Sequence, residues 1–114
     1  MNKTIFFLSA VICLITPALP ASGNPLTIYV SIPPQQWLVE RLAGDLATTE
    51  MLLGKGQDPH TFEPTPRQIA GLSKAEIYFT IGMTFERHIS KKLAQTSSTL
   101  RIVDSSHGIP KRTD

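Results

Sequence analysis

Apolar residues two apart alternate along this chain with apolar residues three and four apart, and that alternation restricts it to strands exchanged with helices. From Thr27 to Ile32, Ile28, Val30 and Ile32 share one side while Thr27, Tyr29 and Ser31 share the other, the two-residue period of a strand. Pro33 and Pro34 stop it. Both are tolerated in a first helical turn, so the spacing predicts a helix capped by Ser31, with Leu38, Leu42 and Trp37 as its buried side and Gly44 at its end. A second strand is expected from Thr48 to Leu53. Thr65-Pro66-Arg67-Gln68 then has the form of a capping box, opening a helix that buries Ile69 and Leu72. Ile77 to Ile81 alternates again, Phe85, Ile89 and Leu93 repeat every four residues in a helix from Phe85 to Gln95, and Leu100 to Val103 makes a last strand.

Strand alternating with helix predicts an α/β fold with about four parallel strands and three helices. Right-handed crossovers make the strand order 2-1-3-4. In that order the first helix covers one face and the other two cover the opposite face, which leaves the third and fourth strands bare on one side. Tyr78, Thr80 and Arg101 are expected to line that bare side, with Val103 and the open edge of the last strand uncovered. The pattern reads as the opening half of a larger lobe.

Residues 1–23 have the three parts of a secretory signal: Lys3 as a positive start, an apolar run from Ile5 to Ile15, and Ala21-Ser22-Gly23 as small residues at the cleavage point. Pro17 and Pro20 interrupt the uncharged run before it reaches the roughly 20 residues of a spanning helix. Cys13 follows Ile12 rather than a small residue, so it is not read as a lipid anchor. Cleavage removes this single cysteine, leaving neither a disulfide framework nor thiolate ligands, and only nitrogen and oxygen donors for any metal. Without Lys3 the formal charge falls from +2 to +1, with basic and acidic residues interspersed. That gives no electrostatic case for nucleic acid or an anionic membrane surface. Residues 24–114 are long enough for one small domain.

Gly56-Gln57-Asp58-Pro59-His60-Thr61-Phe62-Glu63-Pro64-Thr65-Pro66 is the stretch that carries chemistry. It follows the second strand, on the side of an open parallel sheet where ligands bind. Pro59 and Pro64 restrict the backbone on either side of His60, lowering the entropy cost of aiming its imidazole. A neutral imidazole suits zinc and related divalent ions, and its second nitrogen needs a partner to set the tautomer. Asp58 and Glu63 are placed to supply it. The plain alternative is an Asp-Pro turn with an exposed histidine bound to nothing. His88, early in a helix, and His107, in a polar tail, read as ordinary exposed histidines rather than ligands, and Trp37 and the phenylalanines as core. No nucleophile elbow, phosphate loop or dinucleotide fingerprint is present, and one histidine falls short of a catalytic zinc site, so no enzyme is predicted.

The Gly-x-Asp-Pro-His-x-aromatic-Glu-Pro element resembles the zinc and manganese solute-binding proteins of metal-importing ABC transporters. Ile32 to Val39, Ala75 to Phe79, Gly82 with Phe85-Glu86, and Val103-Asp104 leading to Gly108-Ile109 extend the match across the mature segment. The resemblance implies that His60 is the first metal ligand, that the ion is Zn2+ or alternatively Mn2+, that the partner is an ABC permease, and that the protein is periplasmic. The Thr61 to Pro66 continuation is closer to the zinc-type members. It also implies two lobes joined by a long helix, with two further histidines and a carboxylate contributed after Asp114. Residues 24–114 are therefore expected to be an incomplete N-terminal lobe, the product of a truncated, decayed or split gene, binding metal weakly by itself. Neither His107 nor Asp114 is assigned a ligand role. The competing expectation is a non-binding interaction module that docks through its exposed sheet edge.

Overall fold

The computed structural model describes residues 23–112, so the predicted signal segment lies outside the described residues except for Gly23. The elements are β1 (Leu26–Val30), α1 (Pro33–Ala43), a 3-10 turn (Gly44–Leu46), β2 (Ala47–Met51), α2 (Pro66–Ser73), β3 (Ile77–Thr80), α3 (Thr84–Thr96) and β4 (Arg101–Asp104). All strands are parallel, in the predicted order β2-β1-β3-β4. Among the described residues no helix is long and apolar enough to cross a membrane.

Register explains the two faces. Tyr29 stands opposite Tyr78, which stands opposite Ile102, whereas Val30, Phe79 and Val103 form the neighbouring row. Because side chains alternate across a strand, these rows point to opposite faces. The tyrosine row meets Leu72 of α2 and Phe85, Ile89 and Leu93 of α3, and this is the core. Leu52 and Leu53 extend it past β2, their N–H groups donating to the carbonyls of Val30 and Ser31 at 3.0 Å each.

Two expectations are corrected here. Tyr78 and Thr80 do not line a bare side: Tyr78 is fully buried and Thr80 nearly so. Arg101 and Val103 do take the α1 side as expected, with Arg101 exposed, and Ile77 and Phe79 join them there. A tyrosine suits either side of a sheet; the paired crossover helices put their apolar stripes over the tyrosine row. The second correction concerns α1, none of whose residues is buried. Trp37 is 59% exposed, Leu38 50% and Leu42 78%. The helix lies against β1 and β2, and nothing among the described residues packs over the outer side of its apolar stripe. Leu38, Val39 and Leu42 border an open groove with Phe79, while Arg41 stacks over the Trp37 ring at 5.0 Å.

Helix starts also depart from expectation in one case. Thr65 caps α2 as predicted, its Oγ1 accepting the Gln68 N–H at 3.2 Å while Gln68 Oε1 accepts the Thr65 N–H at 2.9 Å. Gln68 Nε2 donates at 2.9 Å to the Leu52 carbonyl, tying the helix to the strand end. Ser31 does not cap α1. Gln35 reaches back instead, its Oε1 accepting the N–H groups of Ser31 at 3.0 Å and Ile32 at 3.3 Å. Ser31 is consumed elsewhere because it points inward from the strand, as described below.

Gly71 lets α2 approach the sheet: a methyl group there would run into the Tyr29 hydroxyl. Gly71→Ala should destabilise the fold by about 1–3 kcal/mol. Adding Tyr29→Phe, which removes the obstructing oxygen, should restore part of the loss. Urea denaturation of the two variants checks this, and an uncoupled pair would contradict it.

Burial, reinforced by the neighbouring Glu86 carboxylate, pushes the Tyr78 phenol up from its ordinary 10.0. Burial, with help from Glu50, raises Tyr29 as well. A raised folded pKa means stability that is complete below pH 10 and is lost as pH rises, since only the unfolded chain ionises readily. Stability should fall above about pH 10 by up to about 1.4 kcal/mol per pH unit for Tyr78, with Tyr29 adding in the same direction. Tyr78→Phe should flatten that fall, measured by denaturation between pH 8 and about 11.5.

Candidate metal site at the carboxyl edge

The loops after all four strands leave from one edge of the sheet, and the segment after β2 is the longest of them. Its first turn is closed by Gln57, whose side-chain oxygen accepts the Gly54 N–H at 2.7 Å and whose N–H donates to the Gly54 carbonyl at 3.2 Å. Asp58 makes the next turn: its Oδ1 accepts the backbone N–H of His60 at 2.9 Å, and its carbonyl accepts from Thr61 at 3.3 Å. The carboxylate expected to orient the imidazole ring thus orients its backbone, an Asx turn favoured by the following proline. His60 is exposed. Two residues on, Phe62 packs edge-on against Phe85 with ring centroids 5.1 Å apart, clasping the loop to α3.

Beneath the loops lies a buried polar cluster that sequence reasoning did not single out. Glu86, only 2% exposed, sits in the first turn of α3. Its carboxylate accepts the N–H groups of Ile81 at 3.1 Å and Met83 at 2.7 Å, and the hydroxyl of Ser31 donates to it. Ser31 Oγ also shares a hydrogen bond of 3.0 Å with the Tyr78 hydroxyl. Every described buried side-chain donor and acceptor is thereby satisfied. A glutamate three residues after a helix cap was the available signal. That it would be buried depended on β1 and β3 lying side by side.

His60 and His88 line one cavity of about 450 Å³, together with Glu63, Phe62 and Phe85. His88, expected to be an ordinary exposed histidine, is exposed but faces the same space as His60. His107 is not brought there. It stands in the turn after β4, where its N–H donates to the Asp104 carbonyl at 3.3 Å. Hydrogen bonds from the Ser106 hydroxyl and N–H hold the exposed Asp104 carboxyl below its ordinary range. Among the described residues no three His, Cys, Asp or Glu side chains gather into a group able to hold a metal ion.

An open parallel sheet that presents a proline-braced imidazole from its carboxyl edge has the build of a ligand-binding lobe. Residues 28–114 match the model of a family described as "Zinc-uptake complex component A periplasmic", and the chain belongs to this family of zinc and manganese solute-binding proteins. It is 34% identical over 67 residues to the high-affinity zinc uptake system protein ZnuA of Paracoccus denitrificans, covering 59% of this chain and 21% of that protein. It is 26% identical over an alignment of 114 positions to the manganese-binding lipoprotein MntA of Halalkalibacterium halodurans, covering 93% of this chain and 38% of that one. A crystal structure of ZnuA superposes with a TM-score of 0.69 at 42% identity, covering 76% of this chain and 34% of the other. The chain thus spans between about a fifth and two fifths of the length of these relatives.

Replacing Glu86 with alanine leaves the Ser31 hydroxyl and two backbone N–H groups without their acceptor, and should cost about 3 kcal/mol or more. Glu86→Gln retains an accepting oxygen and should cost less. Equal losses for the two variants, read from denaturation midpoints, would show that the accepted hydrogen bonds are not what the carboxylate supplies.

Proposed function

We propose that this chain is the metal-holding N-terminal portion of a periplasmic solute-binding protein that delivers Zn2+, or alternatively Mn2+, to an ABC permease. His60 supplies one neutral imidazole to the cargo ion. The observation that carries the reading is an exposed imidazole on a loop pinned by Asp58, at the ligand edge of the sheet, within the segment that matches the zinc-uptake family. The family match and the zinc- and manganese-binding relatives support the metal class. In this reading residues 1–23 are the export signal and residues 24–114 belong to the N-terminal lobe. Capture is weak in this chain alone, because zinc sites of high affinity draw on three or four protein ligands. The role is binding and hand-over, without catalysis.

Titration of the chain with Zn2+ in competition with a chromophoric chelator tests the reading. Binding should be measurable but weak, and His60→Ala should lower it by about tenfold or more. Unchanged affinity in that variant removes the assignment. A second reading, an interaction module, is favoured by the exposure of Trp37, Leu42 and Leu46 on and after α1. Concentration-dependent association without metal, with no Zn2+ binding, would select it.

A further inference from the structure

We infer that residues 54–64 form a strap that opens and closes as one unit while the sheet stays folded, with the Phe62 ring as its latch on α3. That the strap carries a metal ligand rests on the metal reading of His60; the strap itself follows from its contacts.

Among the described residues, every hydrogen bond made by residues 54–64 stays inside the segment. Gln57 bonds Gly54 through its side-chain oxygen and its N–H, the Asp58 carboxylate accepts from the His60 N–H, and the Asp58 carbonyl accepts from Thr61. None of them reaches a strand or a helix. Between the segment and α3 lies the cavity of about 450 Å³, with Pro59 to Pro64 on one wall and Thr84, Phe85, His88 and Ile89 on the other. What joins the walls is the Phe62 ring, edge-on to Phe85 at 5.1 Å and 73°. Phe62 packs against the core, whereas His60, Thr61 and Glu63 around it are exposed.

The ends suit a hinge. Gly56 has a φ of 82°, and Gly54 stands two residues before it, so the entry tolerates wide backbone changes. Thr65 is held in the cap of α2 and closes the segment that can move. A segment opens at the free energy of the distant contacts it must break, and turns closed within it survive the movement. The strands, each paired with a neighbour along its length, open only with the whole fold. One ring contact therefore sets how often the strap is open. His60, two residues from that ring, lines the cavity when the strap is docked and leaves it when the latch releases. The proposed function gains a regulated ligand: docking of Phe62 decides where the imidazole is presented.

Limited trypsin digestion of the full chain reads this opening, because Lys55 lies in the strap and Lys92 lies within α3 beside the buried Leu93. With trypsin dilute enough that reclosing outruns cleavage, each rate follows the population of the open form. Cleavage after Lys55 should change little in low urea, since opening the strap exposes little surface, while cleavage after Lys92 should rise steeply. Val30→Ala, which weakens the buried centre of the sheet, should speed cleavage after Lys92 and leave Lys55 unchanged. Phe62→Ala should speed cleavage after Lys55 by about tenfold or more, with Phe62→Leu between the two. If Lys55 follows Lys92 in urea and in Val30→Ala, the segment opens only with the whole fold and the strap is wrong. If Phe62→Ala leaves Lys55 cleavage unchanged, the ring is not the latch. Zn2+ binding that is unchanged in His60→Ala removes the ion from this account and leaves the strap standing.

Discussion

The carboxyl edge of this sheet is organised around one buried carboxylate. Glu86 accepts N–H groups from the turn after β3 and a hydroxyl from the end of β1, so a single side chain joins two neighbouring strands to the start of α3. A buried anion is tolerable only when its lone pairs are met by donors, and here they are met by groups that would otherwise be left unpaired where the strands end. Tyr78 completes the cluster through Ser31 and carries it into the apolar core. Because α3 begins on this carboxylate, the position of Phe85, and through it Phe62 and the histidine loop, follows from it.

Above that floor the loop is held by turns closed on backbone N–H groups as well as by the Phe62–Phe85 contact. Asp58 and Gln57 each close a turn by accepting an N–H, and Pro59 and Pro64 narrow the remaining freedom. The side chain of His60 is left exposed. The contrast with Glu86 is instructive: one titratable group is buried and consumed by the fold, the other exposed and available.

The sheet is covered unequally. On one side α2 and α3 bury the tyrosine row; on the other α1 leaves Leu38, Leu42 and Trp37 in solvent, beside the half-buried Phe79 and Val103. Apolar spacing in α1 had suggested an ordinary buried stripe. Spacing records which residues share a helix face, but how much of that face is covered depends on the width of the sheet beneath it and on what else packs there.

Element types, their order and the parallel sheet were legible in the chain because periods of two and of three to four residues are local geometry, and crossover handedness then leaves few arrangements. The Thr65 capping box and the loop bearing His60 were legible for the same reason: their partners lie within a few residues. Long-range pairing was not. Which side of β3 faces two helices, why Ser31 serves Glu86 and Tyr78 rather than capping α1, and why His88 shares a cavity with His60 all join residues 28 to 55 positions apart. Local spacing holds no record of such distances, so only the packed sheet and its helices decide them.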